Sequence, residues 1–541
     1  MGHIDVNSVS FSLTVGQRLL DQVSFTVGER EHVALIGANG VGKTTMLRLI
    51  AGVEQPNAGV IGLSGSVAFM RQMTTDDSVT VRDLYLSLSP ERYREAAAQL
   101  TRAEKRLADT STSSSTEGAA GGSSGEDAGL RYAKALTQWE DLGGYDLEVT
   151  WAASADRAVG NGWSALADRS VTSFSGGEQK RLVLELLFSS EHEILLLDEP
   201  DNFLDIPGKS WLADRLNESD KTILFVSHDR QLLADAASKL VTIESHGAWS
   251  HGGSFDGWAE AREARKVRID DEHKRWAAER KRLHSHMRIM KQRAAVNDGN
   301  ASRARAAETR LRHFDEAGPP PDKVRDQKVT MRLAGSRSGK RVVMAEQLEL
   351  TDLTFPFDLE LWYGDRLAVV GHNGTGKSHF LRLLAGDEVA TTGSWRLGAN
   401  VKPGLFSQLH THPEWQGRRL LDLLADHELA RGPATNRLRR YELADQADQG
   451  WETLSGGQQA RFQILLLEIG GANLLLLDEP TDNLDVASAE ALEVGLAAFE
   501  GTVLAVSHDR WFLRSFDWFL VFQDDAEVVL SHDPEAALSG V

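Results

Sequence analysis

The stretch Gly-Ala-Asn-Gly-Val-Gly-Lys-Thr at Gly37–Thr44 decides the fold of the first half of the chain. It follows a short apolar segment (Val33–Ile36) and precedes an apolar helical pattern (Met46–Ala51), which is the context of a GxxxxGK[ST] loop between a β-strand and an α-helix. The glycines let backbone N–H groups wrap around phosphate at a helix N-terminus, where the helix dipole favours an anion. The sequence therefore predicts a phosphate-binding loop in an α/β fold.

The same loop returns as GHNGTGKS at Gly371–Ser378, an offset of 334 residues. Three further motifs recur in the same order, each at an offset of 280 residues. They are SGG[EQ] at Ser175 and Ser455, LLLDEP with Asp198 and Asp478, and VSHDR with His228 and His508. Four ordered matches indicate a duplicated domain.

The change of offset means that the first copy carries 54 extra residues, which lie between its glycine-rich loop and Ser175. In this interval, every residue of Thr110–Gly125 except Glu117 is Ser, Thr, Gly or Ala. Such a composition buries too little apolar surface to order itself, so we predict a flexible joint between two helices. The helical patterns on either side cover Tyr93–Ala108 and Leu130–Leu142.

Between the two copies, the segment from Trp258 to about Glu316 has the pattern of a helical hairpin. Apolar residues follow the spacing of a narrow seam on each helix: Ile269, Trp276, Leu283 and Met290, then Ala304, Ala307, Leu311 and Phe314. Gly318 and the prolines after it end the second helix. We predict a first domain over 1–258 with its flexible insert at about 109–128, a helical linker over 259–327 and a second domain over 328–541.

The charge distribution separates this linker from the rest of the chain. The net charge of the whole sequence is −20, yet Arg262–Arg341 holds 23 basic and 11 acidic residues. A basic segment in an acidic protein suggests a polyanionic partner, although a solvated spacer would have a similar composition. The sequence contains no cysteine, no apolar run long enough for a membrane helix and no evident signal peptide in Met1–Val15. We expect a cytoplasmic protein.

The repeated motifs predict two sites of phosphate chemistry. Each DEP motif ends an apolar strand, so one acid is suited to hold Mg²⁺ and the next to activate water as a general base. The expected catalytic residues are Glu199, Glu479, His228 and His508. The nucleotide-binding residues expected from this chemistry are Gly37, Asn39, Gly40, Gly42, Lys43, Thr44, Thr45 and Asp198, with Gly371, Asn373, Gly374, Gly376, Lys377, Ser378 and Asp478. The Mg²⁺ ligands expected from it are Thr44, Asp198, Ser378 and Asp478.

These motifs in this order resemble the ATP-binding-cassette superfamily, and the resemblance spans both halves of the chain. The resemblance implies two ATP sites, each completed by the Ser-Gly-Gly signature of the other half. Ser455, Gly456 and Gly457 would cap ATP at Lys43, and Ser175, Gly176 and Gly177 would cap ATP at Lys377. It also implies that Gln72 and Gln408 bind the nucleotide and its Mg²⁺. Asp205 and Asp485 would couple the sites across the interface. We therefore expect a monomer whose cassettes pair within one chain. Where the family often stacks adenine on an aromatic residue, the first half has Leu13. Phe11 in the first half and Phe355 or Phe357 in the second are candidate replacements, although core packing is the favoured role of each.

Two cassettes and a basic helical hairpin without a membrane span look like the ABC-F group, whose members bind ribosomes. By that resemblance the hairpin would lie in the tRNA exit site, with its tip near the P-site tRNA and the peptidyl-transferase centre. The tip residues expected to contact rRNA are Arg293, Asn297, Asn300, Arg303 and Arg305.

Four roles remain open for the chain, two within the ABC-F group and two outside it. Within the group, some members are translation factors and others protect the ribosome from antibiotics. A helical arm in the first cassette is typical of the translation factors, and the Ser/Gly tract leaves little room for a long ordered arm, which favours ribosome protection. The hairpin tip is short for a protection factor. Outside the group, the alternatives are the tandem motor of a transporter, which has little need for a basic hairpin, and a chromosome or repair ATPase.

Overall fold

The computed structural model describes residues 2–14, 17–70, 79–113, 122–160, 162–296, 300–323, 329–407 and 412–533. The chain forms two α/β cassettes joined by an α-helical hairpin, as the sequence predicts. Each cassette contains one six-stranded sheet and one three-stranded antiparallel sheet.

The six-stranded sheet of the first cassette has the order β5-β6-β7-β3-β8-β9, in which only the β8–β9 pair is antiparallel. Its strands are β3 (His32–Gly37), β5 (Val67–Met70), β6 (Ile194–Asp198), β7 (Thr222–Val226), β8 (Lys239–Glu244) and β9 (Gly247–Gly252). Strands β6 and β7 are buried along their whole length, which is why they read as continuous apolar runs rather than as alternating patterns. The parallel order brings the C-terminal ends of β6, β7 and β3 together at one edge.

The second cassette repeats this sheet in the order β14-β15-β16-β12-β17-β18, again with an antiparallel last pair. Its strands are β12 (Arg366–Gly371), β14 (Pro403–Phe406), β15 (Leu474–Asp478), β16 (Thr502–Val506), β17 (Trp518–Phe522) and β18 (Val528–Ser531). The three-stranded sheets have the orders β2-β1-β4 and β11-β10-β13. They are built from β1 (His3–Thr14), β2 (Gln17–Val27), β4 (Ala58–Ser64), β10 (Arg341–Leu350), β11 (Phe357–Trp362) and β13 (Thr391–Leu397).

Helices cover the sheets and carry the motif residues at their N-termini. In the first cassette they are α1 (Lys43–Ile50), α2 (Val81–Leu88), α3 (Glu91–Ser113), α4 (Gly122–Asp141), α5 (Gly144–Val159), α6 (Trp163–Leu166), α7 (Gly176–Ser189), α8 (Ile206–Asn217) and α9 (Arg230–Ala236). The linker contains α10 (Trp258–Val296) and α11 (Ala301–Glu316). In the second cassette they are α12 (Lys377–Ala385), α13 (Leu420–Ala425), α14 (Arg431–Arg440), α15 (Gly456–Gly470), α16 (Val486–Ala497) and α17 (Arg510–Leu513).

The insert of the first cassette is more ordered than its composition predicts. The two predicted helices exist, but α3 runs to Ser113 and α4 begins at Gly122, so both extend into the Ser/Gly tract. The two helices pack against each other through small buried residues and an edge-to-face contact between Tyr93 and Trp139. The predicted flexible joint over 109–128 is therefore wrong for the part of the tract that is helical; residues 114–121 lie outside the described residues. The first cassette thus carries a helical arm of 23 and 20 residues at the place where the sequence was expected to leave little room for a long ordered arm.

The linker forms the predicted antiparallel hairpin, although its two helices differ in length. The apolar seam is present, with Ile269 and Leu283 buried on α10 and Trp276 stacked on Phe314 of α11 at 5.7 Å between ring centroids. At 39 residues, α10 has a length of about 58 Å from its rise per residue. Its first turns pack against the returning chain, where Lys323 pairs with Asp270 at 2.8 Å.

Within the described residues, every helix is too short or too polar to cross a bilayer.

Candidate active sites at the cassette interface

The two glycine-rich loops adopt the same conformation at the C-terminal ends of β3 and β12. Gly42 and Gly376 immediately precede α1 and α12 with φ values of 107° and 100°, a left-handed conformation that only glycine adopts without strain. The lysine after each glycine lies across its own loop: Lys43 Nζ donates to the Gly37 carbonyl at 2.9 Å, and Lys377 Nζ donates to the Gly371 carbonyl at 2.7 Å. Burial lowers the pKa of Lys43 to about 8 and also lowers the pKa of Lys377.

A hydroxyl and a carboxylate meet beside each loop. Thr44 Oγ1 donates to Asp198 Oδ1 at 3.3 Å in the first cassette, and Ser378 Oγ donates to Asp478 Oδ1 at 3.0 Å in the second. Burial raises the pKa of both aspartates. Both pairs consist of hard oxygen donors, the kind of ligand that Mg²⁺ prefers. The other two predicted ligands, Gln72 and Gln408, lie outside the described residues.

The two candidate bases, Glu199 and Glu479, share an unusual backbone but differ in their partners. Both have φ of 49°, and both N–H groups donate to the end of the neighbouring strand, at 3.0 Å from the Val226 and Val506 carbonyls. Glu199 Oε2 accepts a bond of 2.7 Å from Asn202 Nδ2. Burial raises the pKa of Glu199, and it raises the pKa of Glu479 to about 8.

In the second cassette the histidine holds the candidate base. The His508 backbone N–H donates to Glu479 Oε2 at 3.1 Å, and His508 Nε2 lies 3.4 Å from Glu479 Oε1. The same ring nitrogen lies 3.1 Å from Asn373 Oδ1 in the glycine-rich loop. In the first cassette, His228 Nε2 is buried without a hydrogen-bond partner among the described residues. Burial lowers the pKa of His228 to about 3 and that of His508 well below its usual value, so both imidazoles are neutral at pH 7.

Each loop is touched by the opposite cassette. In the first site, Asn39 Nδ2 donates to the Asn483 carbonyl at 2.9 Å, and the Asn39 N–H donates to Asp485 Oδ2 at 3.2 Å. A Cβ atom on Gly457 would lie 2.5 Å from Asn39 Nδ2, so the signature turn and the loop approach as closely as glycine allows. Asp485 thus reaches the opposite loop as expected.

The second site is paired in the same way. Asn373 Nδ2 donates to the Phe203 carbonyl at 3.2 Å, and a Cβ atom on Gly177 would lie 3.0 Å from that same carbonyl. His372 Nδ1 lies 3.0 Å from Asp205 Oδ2. Ser175 and Ser455 cap their own helices, α7 and α15, each in a reciprocal capping arrangement. Gly457 thus lies directly against the opposite loop, and Gly177 lies beside the Phe203 carbonyl that the opposite loop contacts.

The remaining predicted residues fall in three places. Gly40 and Gly374, also in the left-handed region, complete the two loops, and Thr45 follows in α1. Phe357 is buried in the core, as the core alternative supposed, whereas Phe355 is exposed. Arg293, Arg303 and Arg305 are exposed near the end of the hairpin and Asn300 is half-buried, while Asn297 lies outside the described residues.

The motif search missed a set of buried charges in the first cassette. Lys180 Nζ donates to the Glu199 carbonyl at 2.9 Å, and Lys209 Nζ lies 2.9 Å from Asp229 Oδ2. Aligning the repeat at its offset of 280 residues places alanine at the positions of both lysines, Ala460 and Ala489. That difference between the copies is the one sequence signal that marks them.

These two sites define a paired-cassette nucleotide hydrolase. In each site, one half supplies the phosphate loop, the hydroxyl–carboxylate pair and the glutamate, and the other half supplies the signature turn. The family model described as ABC transporter matches residues 20–202 and 355–482, more than half of the chain. The chain belongs to the ABC-F group of the ATP-binding-cassette superfamily and is an ATPase.

Three curated relatives match along nearly their whole lengths. The chain is 49% identical to "Antibiotic resistance protein" of Mycobacteroides abscessus, covering 99% of this chain and 100% of that protein. It is 31% identical to "Tylosin resistance ATP-binding protein TlrC" of Streptomyces fradiae, covering 91% and 92%. It is 27% identical to "Energy-dependent translational throttle protein EttA" of Escherichia coli K12, covering 95% and 90%.

Proposed function

We propose that the chain hydrolyses ATP at two composite sites and uses this cycle on the ribosome, as an antibiotic-resistance factor. The hairpin would enter the tRNA exit site, and its tip would act near the P-site tRNA and the peptidyl-transferase region. The observation that carries the proposal is the basic hairpin between two cassettes that touch each other's phosphate loops. Two full-length relatives named for antibiotic resistance support the choice of role.

The residues of each site have distinct tasks in this proposal. Backbone N–H groups of the glycine-rich loop and Lys43 or Lys377 bind the phosphates, and the opposite signature turn closes the site against water. Glu199 and Glu479 orient the attacking water and accept its proton. The neutral His228 and His508 donate a hydrogen bond to the γ-phosphate.

The hydroxyl–carboxylate pairs fit Mg²⁺. Thr44 with Asp198, and Ser378 with Asp478, would hold the ion, with Gln72 and Gln408 as the further ligands predicted from the sequence. When bound, Mg²⁺ supplies positive charge that neutralises the phosphate oxygens.

The surface of the hairpin supports an RNA partner. Its seam residues face each other, so the basic side chains stand outside the seam. Some of these are paired within the hairpin, such as Lys291 with Glu308 at 2.8 Å and Arg280 with Asp315 at 2.7 Å. Exposed arginines near the tip, Arg293, Arg303 and Arg305, would meet rRNA phosphates and make binding sensitive to salt.

The direct test is to trap the ATP-bound state. Glu199→Gln with Glu479→Gln keeps the shape of both sites and removes both bases, so ATP binds and the cassettes stay closed. We expect this variant to co-sediment with 70S ribosomes when Mg-ATP is present, and to arrest translation in a purified system. The control is Glu29→Gln with Glu500→Gln, the same chemical change at two exposed positions.

The outcomes separate the candidate classes. A trapped variant that pellets with ribosomes only as much as the control contradicts ribosome action. A variant that instead fractionates with membranes and a membrane subunit supports the transporter motor.

The tip is tested by charge reversal. Arg293→Glu, Arg303→Glu and Arg305→Glu together should weaken ribosome binding and lower the slope of log K against log salt by about 2–3 units, one for each lost phosphate contact. Arg337→Glu, Arg396→Glu and Arg439→Glu make the same charge change at exposed positions of the second cassette. Equal effects of the two triple variants would show that only total charge matters.

The α3–α4 arm favours a second candidate, a translation factor, because a helical arm in the first cassette is typical of that type. One of the matched relatives is named a translational throttle protein. Susceptibility tests with drugs that bind the peptidyl-transferase region or the exit tunnel discriminate the two roles. Resistance that is gained on expression, and lost with Glu199→Gln and Glu479→Gln, supports protection; altered translation without any resistance supports the translation factor.

A further inference from the structure

We propose that Lys209 is a positioning residue by which the first cassette holds the hydrolytic half of the second ATP site. Lys209 lies on α8, and its side chain is only 8% exposed. Its Nζ crosses the cassette interface and donates to the backbone carbonyl of His508 at 3.2 Å. On its own side it pairs with Asp229 Oδ2 at 2.9 Å.

The contact leads directly to the candidate base of the second site. His508 accepts from Lys209 through its carbonyl, and its own N–H donates to Glu479 Oε2 at 3.1 Å. Its ring nitrogen also lies 3.4 Å from Glu479 Oε1 and 3.1 Å from Asn373 Oδ1. Because its carbonyl, its N–H and its ring nitrogen all have partners, His508 has little conformational freedom. The contact from Lys209 therefore restricts the orientation of His508 relative to Glu479 and the phosphate loop.

Among the residues that the structure describes, the first site has no equivalent of this contact. The repeat places Ala489 at the position of Lys209, and a methyl group cannot reach across the interface or bond a carbonyl. Thr481 likewise stands where the first cassette has Asp201. The first site holds its glutamate from within, through Asn202 Nδ2 and Glu199 Oε2 at 2.7 Å. The link therefore runs in one direction, from the first cassette to the second site.

Lys209 is positively charged in the interface because carboxylates surround it. Burial alone would lower the pKa of Lys209, but Asp229 and the neighbouring carboxylates outweigh burial and raise it above its ordinary value. The ammonium is therefore present at neutral pH. Opening of the cassettes separates it from the His508 carbonyl while Asp229 stays with it, so the second site loses its positioning contact whenever the interface opens.

The test resolves the two sites by single-turnover hydrolysis with protein in excess of radiolabelled ATP. Glu199→Gln leaves only the second site able to hydrolyse, and Glu479→Gln leaves only the first. Adding Lys209→Met should slow the second site about tenfold, the loss expected when one interaction that positions a catalytic group is removed. The KM for ATP, measured separately at steady state, should be nearly unchanged. The first site should keep its rate within about twofold.

Three controls separate positioning from folding. Lys209→Met with Asp229→Asn removes the ammonium together with its nearest carboxylate, so Asp229 is not left as an unpaired buried charge. This double variant should show the same site-specific loss with little change in the melting curve. Lys209→Arg keeps the positive charge and should restore most of the rate. Lys221→Met removes a lysine that donates to backbone carbonyls within its own cassette and should affect neither site selectively.

The outcome is decisive because the inference rests on the ATPase activity and not on the proposed ribosomal role. Equal losses at both sites, an unchanged second site, or a KM effect without a rate effect would each overturn it. A selective loss at the second site would support it even for a protein that never binds a ribosome.

Discussion

The two candidate active sites contain the same motif residues and hold them differently. In the first site, Asn202 from the same cassette holds the candidate base, Glu199. In the second site, the backbone of His508 holds Glu479, and the opposite cassette holds His508 through Lys209. Duplication has thus kept the residues that would touch ATP, while the residues that orient them have diverged.

The difference teaches that equal motifs do not imply equal sites. The first site can arrange its glutamate within one cassette. The second depends on a contact that exists only when the two cassettes are together, and it also carries His372, which lies 3.0 Å from Asp205 across the interface. We therefore expect hydrolysis at the second site to be coupled more tightly to closure.

The largest expected effect comes from removing both bases. Glu199→Gln with Glu479→Gln should lower single-turnover ATP hydrolysis by about 10²–10⁴-fold, the usual contribution of a general base. Each single variant should leave the other site's hydrolysis measurable, since the two glutamates lie in separate sites. A single variant as inactive as the double would contradict the view that the sites hydrolyse separately.

The pH dependence should distinguish the two glutamates. Burial raises the pKa of Glu479 to about 8, so its carboxyl is mostly protonated at pH 7 and becomes able to accept a proton as the pH rises. With Glu199→Gln, kcat/KM of the remaining second site should increase about tenfold between pH 7 and pH 9. With Glu479→Gln, the rise should occur at lower pH, because Glu199 is less buried. Coincident pH profiles would contradict the comparison.

The amide that holds Glu199 should matter at one site only. Asn202→Ala removes a hydrogen bond to a charged group, so the first site should slow by about tenfold, corresponding to ~1.4 kcal/mol. The second site should be unaffected. Asn217→Ala, which removes a bond to the Asp235 carbonyl at an exposed position, is the matched control. An equal loss of hydrolysis rate at both sites would mean that Asn202→Ala disturbs the fold as a whole and not the position of Glu199.

The two halves of the interface should also differ in their contribution to stability. Arg230 is buried between Glu493 and Asp509 of the opposite cassette, whereas its counterpart Arg510 is more exposed and lies 3.3 Å from Asp235. Arg230→Ala should therefore destabilise by about 2–3 kcal/mol and Arg510→Ala by about 1 kcal/mol or less. Thermal unfolding followed by circular dichroism measures both, and a larger loss for Arg510→Ala would contradict this ranking.

Much of the fold was predictable because motifs and apolar strands are local signals. Loop sequences such as Gly37–Thr44 require a strand before them and a helix after them, and the seam from Ile269 to Met290 requires a helical partner. The two ends of the Ser/Gly tract that are helical were predicted wrongly because their composition disfavours helices, while α3 and α4 are anchored outside the tract by packing such as Tyr93 on Trp139. Tertiary packing outweighs propensity there.

Some residues of the candidate sites were likewise predictable from local motifs, and others depend on tertiary contacts. Motif spacing predicts Lys43, Asp198 and Glu199 as site residues, since the loop and the strand end fix their positions. Lys209 does not, because a lone lysine in a helix is usually solvent-exposed. Its burial results from the approach of His508, 299 residues away, which no local pattern encodes.

The central claim is that each ATP site is built from both cassettes of one chain. Because the sequence contains no cysteine, Asn39→Cys with Asn483→Cys introduces the only two thiols, at positions where the Asn39 amide lies 2.9 Å from the Asn483 carbonyl. In the Glu199→Gln, Glu479→Gln background, a short bismaleimide should join them in Mg-ATP and give a product of monomer mass. Cross-linked species of twice that mass, or no ATP-dependent product, would contradict the claim.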